Sequence, residues 1–329
     1  MKRIVMCFFA IILGMTVLFS AGCARDGASS SDQVVIYSNG DDEAVEAMKK
    51  ALDGNCYSCQ NLFQTFGTSE LGGKLMAEGT DVEADLVTMS SFYLESAQAQ
   101  SGMFTDLTFD TSALSEYPGY YSPVTALEGT IIYNTEMVKE KNLTVPAAIA
   151  DLAKPEYKGL ISMIDIQGSS TAWLMIQALV EQYGEEEAKT ILKGIYDNAG
   201  DHIETSGSGP IKKVRAGEVA IGFGLRHQAV ADKASGLPID YADPMEGNYI
   251  LTESVAVVNH GGGEKQDKAM AMAQCIIEKA RPELLSIYPV PLYQGESVPA
   301  GGDGTPKVYS KPLTVELLKQ HQALSESCK

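Results

Sequence analysis

The chain has 329 residues, with 25 Lys+Arg against 43 Asp+Glu, a formal net charge of −18 at pH 7 and 45% hydrophobic residues. That composition is typical of a folded protein with a sizeable core, and it argues against general disorder. Nucleic acid attracts basic proteins, so the acidic balance and the lack of a Lys/Arg run exclude it as an expected partner.

The N-terminal segment has the pattern of an export signal. Lys2 and Arg3 precede an apolar stretch over residues 4–19, and small residues follow up to Cys23. A short apolar stretch that ends in small residues predicts a cleaved signal, residues 1–22, rather than a membrane span. A Cys directly after Ala-Gly resembles a bacterial lipobox, in which the thiol is acylated and tethers the chain to the membrane. The alternative is a plain signal peptide with an incidental Cys.

The segment after the signal has the composition of a flexible tether. Residues 23–33 are mostly small and polar, which is typical of a flexible linker. Removal of Lys2 and Arg3 with the signal would take the net charge from −18 to −20. We therefore expect an extracytoplasmic protein that is lipid-anchored to the cell membrane.

The remaining cysteines favour a structural role over a redox or zinc site. Cys56 and Cys59 have the spacing of a redox pair or of half a zinc site. However, they precede a predicted strand, no second such pair exists, and the four His residues are scattered. A local disulfide or free thiols is the preferred interpretation, and redox or metal chemistry is the alternative. Whether Cys275 pairs with Cys328 stays open.

From residue 34 onward, short apolar runs alternate with amphipathic stretches. The predicted strands cover residues 34–38, 61–67, 85–89, 128–134, 160–164, 202–205, 219–223 and 254–259. The predicted helices cover residues 42–52, 69–78, 147–153, 170–183, 185–198, 210–216, 226–234, 264–279 and 314–325. This alternation predicts an α/β protein with parallel βαβ units and right-handed crossovers.

Small hydroxyl residues and Gly follow several predicted strands, directly before a helix. Ligands bind at the carboxyl ends of strands in open α/β sheets, and helix N-termini there offer free N–H groups to an anion. Ordinary helix capping explains any single segment equally well. Because the pattern recurs in two separate halves of the chain, we expect some of these segments to meet at one ligand. The candidate anion-binding residues are Ser38, Asn39, Thr68, Ser69, Ser90, Ser91, Ser169, Ser170, Thr171 and Ser206.

The chain after residue 22 resembles an ABC-transporter solute-binding lipoprotein with the type 2 periplasmic-binding fold. Within that fold it is similar to the branch of ferric-iron, hexose-phosphate and 2-aminoethylphosphonate binders. The motifs are VVIYS at 34–38, GTSELGGKL at 67–75, ADLV at 84–87, LEGTIIYN at 127–134 and KVRAGEVAIG at 213–222.

The resemblance implies two lobes, each a mixed sheet flanked by helices, hinged by two crossing strands. Lobe one would comprise residues 32–125 and 255–329, and lobe two residues 126–254. A small anionic organic solute would bind in the cleft between them, and the closed complex would dock on the subunits of an ABC permease. We expect a monomer without a cofactor or metal and without enzymatic activity.

The sequence indicates the identity of the ligand less clearly than it indicates the fold. Iron binders of this branch place adjacent tyrosines shortly after an Ile-Gly in lobe two, and residues 223–228 contain none, which argues against iron. A phosphonate or phosphate-bearing solute is preferred, 2-aminoethylphosphonate ahead of a hexose phosphate. An anchored hydrolase is the alternative of a different class, but no nucleophile, Walker A or zinc-protease motif is present.

Other polar residues are candidates for binding the far end of the ligand. An acidic, aromatic loop precedes the strand that returns to lobe one, and its carboxylates and rings suit an ammonium group. Trp173 is interpreted as core rather than as a platform for a sugar. The candidates for this end are Glu128, Arg226, His227, Asp240, Tyr241, Glu246 and Tyr249.

The lipobox interpretation predicts the state of the mature N-terminus. Intact-mass analysis of protein extracted from membranes should show a diacylglyceryl adduct on a chain that starts at Cys23. Cys23→Ala should remove the adduct, because alanine has no thiol to acylate. A mature chain that starts at any other residue would contradict the interpretation.

Overall fold

The computed structural model describes residues 33–329, apart from 56, 59, 111, 299–301, 303 and 305. The predicted export signal, Cys23 and the Cys56–Cys59 pair lie outside the described residues. Cys275 and Cys328 are both buried free thiols and form no disulfide. Among the described residues, no helix combines the length and hydropathy needed to cross a membrane.

Lobe one is built on a parallel sheet. Its central strand, β1 (Val34–Ser38), is buried at all five residues and pairs in parallel with β2 (Asn61–Thr65) and β3 (Leu86–Ser90). A parallel strand covered on both faces is expected to be uniformly buried. This pairing confirms the predicted parallel βαβ units. Its other elements are α1 (Asp42–Gly54), α2 (Thr68–Glu78), α3 (Ser91–Ser101), β4 (Phe104–Thr105), α9 (Glu264–Cys275), α10 (Arg281–Ile287) and β11 (Pro306–Lys307).

Lobe two repeats this α/β organisation around a smaller sheet. The strand β6 (Ile161–Ile164) pairs in parallel with β7 (Ile203–Glu204) and with β8 (Ile221–Leu225). A buried helix, α5 (Thr171–Tyr183), follows β6 and packs on this sheet. The remaining elements are α4 (Thr135–Glu140), α6 (Glu185–Ala199), α7 (Gly209–Arg215), α8 (Arg226–Ala234) and β9 (Ile239–Ala242).

Two long strands, β5 (Tyr121–Asn134) and β10 (Asn248–Val258), join the lobes. The first half of β5 pairs antiparallel with β10, which also pairs with β3. The second half of β5 pairs with β8 and β9 of lobe two. The result is one curled mixed sheet in the order β2-β1-β3-β10-β5-β8-β6-β7. This is the predicted two-lobed α/β fold.

The pairing of β5 with β10 contains a bulge. Glu253 faces Thr125, but Ser254 faces Pro123, so Val124 is the extra residue of β5. A proline cannot donate to a strand ladder, and a bulge is one place where a strand tolerates it. The freed carbonyl of Val124 accepts a hydrogen bond of 3.2 Å from Arg281 Nη1. A buried arginine therefore satisfies the backbone that the bulge leaves unpaired.

Both crossing strands begin earlier than their sequence patterns predict. The apolar runs that carry the prediction, residues 128–134 and 254–259, are only the later parts of β5 and β10. Pro123 and the polar residues before Ser254 obscure the earlier parts. The helix predicted over residues 147–153 is a 3₁₀-helix, Ile149–Ala153, and the helices α4 and α10 were not predicted.

The C-terminal helix α11 (Val315–Glu326) contacts both lobes. It touches α3 of lobe one, while Ser325 hydrogen-bonds Tyr196 of α6 at 2.6 Å and His321 accepts from Trp173 of α5 at 2.7 Å. Residues 315–326 thus pack largely on lobe two, although the sequence-based boundary assigned them to lobe one. Trp173 is fully buried and meets Phe92 edge-on at 4.9 Å, which confirms its interpretation as core.

The bulge predicts a stability effect for Arg281. Its side chain is 4% exposed, pairs with Glu296 at 2.7 Å and donates to the carbonyls of Val124 and Val290. Arg281→Met leaves the half-buried Glu296 carboxylate without its ion-pair partner and two backbone carbonyls without their side-chain donor, so the free energy of unfolding in urea should fall by about 3–5 kcal/mol.

A matched control is available on α6. Lys193→Met removes an exposed i,i+4 pair with Asp197 and should cost only about 0.3–0.5 kcal/mol. If Arg281→Met does not fold, Arg281→Lys keeps the charge and should be intermediate. Equal losses for Arg281→Met and Lys193→Met would contradict a role for Arg281 in holding the bulge.

Candidate ligand-binding cleft

A cavity of about 250 Å³ lies where the two lobes face each other. Its floor is formed by the crossing strands, with Val124, Thr125 and Leu127 of β5 and Glu253 of β10. One wall follows the ends of β1 and β2 in lobe one, and the opposite wall follows the ends of β6 and β7 in lobe two. The described lining residues are Asn39, Gly40, Asp41, Asp42, Ala44, Met48, Phe66, Gly67, Thr68, Thr88, Val124, Thr125, Leu127, Gly168, Ser169, Ser170, Thr171, Thr205, Ser206, Gly207, Ser208, Leu225, Glu253 and Tyr288.

The lobe-two wall is a concentration of neutral hydrogen-bond donors at the start of α5. Ser169, Ser170 and Thr171 are each less than one-tenth exposed, and the Ser170 side chain caps no N–H group of the helix. The Ser170 hydroxyl makes no hydrogen bond to another described residue. A helix N-terminus carries a partial positive charge, and burial of α5 from Thr171 to Val180 weakens solvent screening of it. The wall therefore suits an anionic group.

Two glycines bring the second hydroxyl loop against the first. A β-carbon on Gly168 would lie 2.6 Å from the Thr205 carbonyl oxygen, and one on Gly207 would lie 2.4 Å from Thr171 Oγ1. Both distances are too short for any side chain, so only glycine allows the two loops to touch. Through this contact Ser206 joins the serines of the α5 N-terminus around the cavity.

The lobe-one wall is acidic. Asp41 caps α1 by accepting from the Ala44 N–H, and it also accepts a hydrogen bond from the Tyr288 hydroxyl. Burial raises the pKa of Asp41, although these two hydrogen bonds oppose the shift. Asp42 lines the same wall and is exposed. No Lys, Arg or His occurs among the described residues that line the cavity.

Glu253 reaches the cavity from the floor. Its Oε1 atom accepts hydrogen bonds from Ser90 at 2.7 Å and from Asn39 at 3.3 Å. Its Oε2 atom is buried and has no hydrogen-bond partner. Burial raises the pKa of Glu253 to about 7, with the nearby Asp41 charge adding to the shift and the hydrogen bonds from Ser90 and Asn39 opposing it. Glu253 is thus a carboxyl group that changes charge near neutral pH.

Six of the ten predicted anion-binding residues line the cavity, and four lie behind it. Ser38 bonds Thr88 and the Gly40 N–H, Ser90 bonds Glu253, Ser91 bonds Ser254 and the Thr252 carbonyl, and Ser69 bonds Tyr93. These four lobe-one hydroxyls hydrogen-bond within lobe one or to β10, behind the cavity wall. The six that line the cavity are Asn39, Thr68, Ser169, Ser170, Thr171 and Ser206.

The residues predicted for the far end of the ligand do not line the cavity. Arg226 is 1% exposed, makes a two-pronged ion pair with Asp243 at 2.9 and 3.1 Å, and lies over the Tyr241 ring at 4.8 Å. Glu128 is also buried, and a β-carbon on Gly304 would meet both Glu128 Oε1 and the Arg226 guanidinium. This group is an internal polar cluster at the lobe crossing.

The acidic loop has a similar structural role. Glu246 accepts hydrogen bonds from the N–H groups of Ile149 and Ala150, which caps the 3₁₀-helix. Asp240 pairs with Lys233 on the surface, and Tyr249 is buried. These side chains are committed to partners within lobe two or buried there, away from the described cavity.

His227 lies just behind the cavity wall. Its ring contacts the ring of Tyr288 with a centroid distance of 4.3 Å, and its Nε2 atom is 3.8 Å from Asp41 Oδ2. Burial lowers the pKa of His227 to about 4, so the ring is neutral at pH 7. Through these contacts His227 touches Asp41 and Tyr288, which both line the cavity.

Sequence reasoning missed the carboxylates that do line the cavity. Asp41 and Asp42 follow the first strand, but their pattern is also that of an ordinary acidic helix start. Glu253 lies inside a strand, and the single signal that marks it is a charged residue directly before the buried run of residues 254–258. An ionisable residue in a buried strand position is a functional candidate in its own right.

The described residues contain no group of three or more His, Cys, Asp or Glu side chains placed to share a metal ion. The cavity has two unlike walls, with neutral donors on lobe two and carboxylates on lobe one.

The chain is similar to known proteins in sequence and in fold. The chain is 26% identical over 282 residues to a functionally uncharacterized protein of Haemophilus influenzae, an alignment that covers 82% of this chain and 80% of the relative. It superposes on AfuA of Actinobacillus pleuropneumoniae, a periplasmic binding protein solved with exogenous fructose-6-phosphate, with a TM-score of 0.71 and 20% identity, covering 90% of this chain and 96% of that one.

Iron-bound HitA of Pseudomonas aeruginosa has the same fold, with a TM-score of 0.69 and 21% identity over 90% of this chain and 99% of that one. These likenesses show the type 2 periplasmic-binding fold. Bacterial extracellular solute-binding proteins are transport proteins of ABC importers rather than enzymes, and they are located outside the cytoplasm. With residues 84–299 matching the bacterial extracellular solute-binding proteins, the chain belongs to that family.

Proposed function

We propose that this solute-binding protein captures a small organic compound that carries a phosphoryl or phosphonyl group, with 2-aminoethylphosphonate favoured over a hexose phosphate. It delivers the solute to an ABC permease while a lipid on Cys23 holds it at the membrane. The observation that carries the proposal is the donor wall at the start of α5, where Ser169, Ser170 and Thr171 border the cavity.

The donor wall suits an oxyanion because its donors are neutral and fixed in place. Hydroxyls and helix N–H groups bind such an anion without cationic side chains when they are preorganised and shielded from water. The protein carries a net charge of −18, so long-range attraction does not draw an anion in. Local hydrogen bonds must then supply the affinity, and this wall is the part of the described cavity that offers them.

The acidic wall favours a ligand with a positive far end. Asp41 and Asp42 border the cavity on the lobe-one wall, and Glu253 borders it on the floor. A hexose phosphate carries no cation for these carboxylates, whereas an aminophosphonate carries an ammonium. Glu128 and the acidic loop do not line the described cavity, so the preference for an ammonium depends on Asp41, Asp42 and Glu253.

The size of the cavity favours a small solute. Sites for drug-sized ligands are roughly 300–1,000 Å³ in volume. The cavity here is about 250 Å³, below that range. A two-carbon phosphonate suits this volume better than a six-carbon sugar phosphate does.

Ferric iron is disfavoured by the state of the tyrosine at the cavity. Iron binders of this branch use phenolate oxygens, but burial and the Asp41 carboxylate raise the pKa of Tyr288. Its hydroxyl also donates to Asp41, which commits the proton. This phenol is held in its neutral form.

Titration calorimetry with four compounds tests the proposal. The panel is 2-aminoethylphosphonate, glucose 6-phosphate, orthophosphate and ferric citrate, with 2-aminoethylphosphonate expected to bind most tightly. Preference for glucose 6-phosphate would keep the anion site but overturn the choice of ligand. Tight iron binding without any response to phosphorus compounds would overturn the proposal as a whole.

Ser170→Ala tests the anion end directly. Loss of a hydroxyl that bonds a charged group should cost about 1.5–3 kcal/mol, or roughly 10- to 150-fold in the Kd for 2-aminoethylphosphonate. The control Ser286→Ala removes an exposed hydroxyl from α10 and should leave the Kd unchanged. An unchanged Kd for Ser170→Ala would show that the anion lies elsewhere.

A further inference from the structure

We infer that Glu253 is the specificity-determining residue of the cleft and that its free Oε2 atom accepts a hydrogen bond from an ammonium group on the ligand. The inference deepens the proposed function and rests on it, since it names the group that must accompany the phosphonyl end. It starts from an unusual feature, a buried carboxyl oxygen without a partner on the floor of a binding cavity.

The bulge between β5 and β10 lies directly beside Glu253 and influences the direction of its side chain. The register of β10 against β5 changes directly after Glu253, where Thr125 is its partner and Val124 is the extra residue. Bulges re-aim side chains and occur preferentially beside functional sites. Glu253 and the residues of β5 on both sides of the bulge, Val124 and Thr125, all line the cavity. The irregularity therefore lies where the ligand binds.

The hydrogen bonds of Glu253 all involve Oε1 and leave Oε2 without a partner. Ser90 and Asn39 both donate to Oε1, which fixes the plane of the carboxyl group. Asn39 also donates to Thr68 at 3.1 Å, so the anchoring network extends along the lobe-one wall. A buried carboxylate oxygen without a donor is costly, and a donor on the ligand would remove that cost.

The surroundings of Glu253 favour a cation over a neutral donor. Across from it, β5 presents the uncharged Thr125, and the start of α1 presents the Asp41 carboxylate. Tyr288 of lobe one and His227 of lobe two face Asp41, and both are neutral at pH 7 because burial raises the pKa of the tyrosine and lowers that of the histidine to about 4. No positive side chain is among these groups, so the ligand must bring the positive charge.

Proton release follows from this arrangement. With burial raising its pKa to about 7, Glu253 is mostly protonated at pH 6 in the empty cleft. An ammonium at Oε2 favours the ionised form, so binding at pH 6 should release about one proton. The affinity should therefore rise with pH up to about 7 and then level off, apart from the titration of the phosphonate itself.

An experiment with two ligands and three proteins, the wild type, Glu253→Gln and Glu83→Gln, tests this inference separately from the proposed function. Ethylphosphonate has the phosphonyl group but no ammonium, and Glu253→Gln keeps the hydrogen-bonding shape but removes the charge. Glu83→Gln, which changes an exposed lobe-one carboxylate outside the cavity, matches the change in net charge. Calorimetry would measure the Kd for both ligands and, in two buffers of different ionisation enthalpy, the protons released.

The wild type and Glu83→Gln should bind 2-aminoethylphosphonate about 10- to 150-fold more tightly than ethylphosphonate. Glu253→Gln should abolish that difference, and it should also abolish the part of the proton release that 2-aminoethylphosphonate causes and ethylphosphonate does not. If Glu253→Gln binds 2-aminoethylphosphonate as tightly as the wild type, the Glu253 inference fails and the proposed function stands. If the wild type binds neither compound, both fail.

Discussion

The antiparallel pairing of β5 with β10 is the constraint on which the structure depends. Each strand belongs to both lobes, so the ladder between them is the backbone connection that sets where the two sheets face each other. The bulge at Val124 interrupts the ladder, and Arg281 satisfies the carbonyl that it frees. The cavity floor lies directly on this irregular segment. Positioning of the site and joining of the lobes are thus achieved by the same few residues.

The two walls of the cavity owe their opposite character to different local structures. On lobe two, glycines allow two hydroxyl loops to touch, and a buried helix directs its N-terminus at the space between the lobes. On lobe one, helix α1 starts with its own acidic cap, Asp41, which accepts from the Ala44 N–H that an anion would otherwise use. A helix N-terminus is therefore not an anion site by itself, because a capping carboxylate converts it into an acidic surface.

Much of the fold was predictable from the chain alone, because parallel strands such as residues 34–38 are continuous apolar runs. The early part of β5 was not, since Pro123 argues against a strand and only the bulge, a tertiary feature, accommodates it. The site was predictable where side chains have no competing partner, as at Ser170. It was not predictable for Arg226 and Glu246, whose ion pair and backbone hydrogen bonds depend on residues that are distant in sequence.

The unlike walls have a consequence for transport. In our proposal each lobe recognises a different end of the solute, so a compound with only one end contacts only one lobe. Orthophosphate can occupy the donor wall, but it offers nothing to the carboxylates on the opposite side and gives little free energy for closure. A permease that responds to the closed form then ignores this partial occupant. The cleft would thus select a solute that carries both ends, even where free phosphate is present.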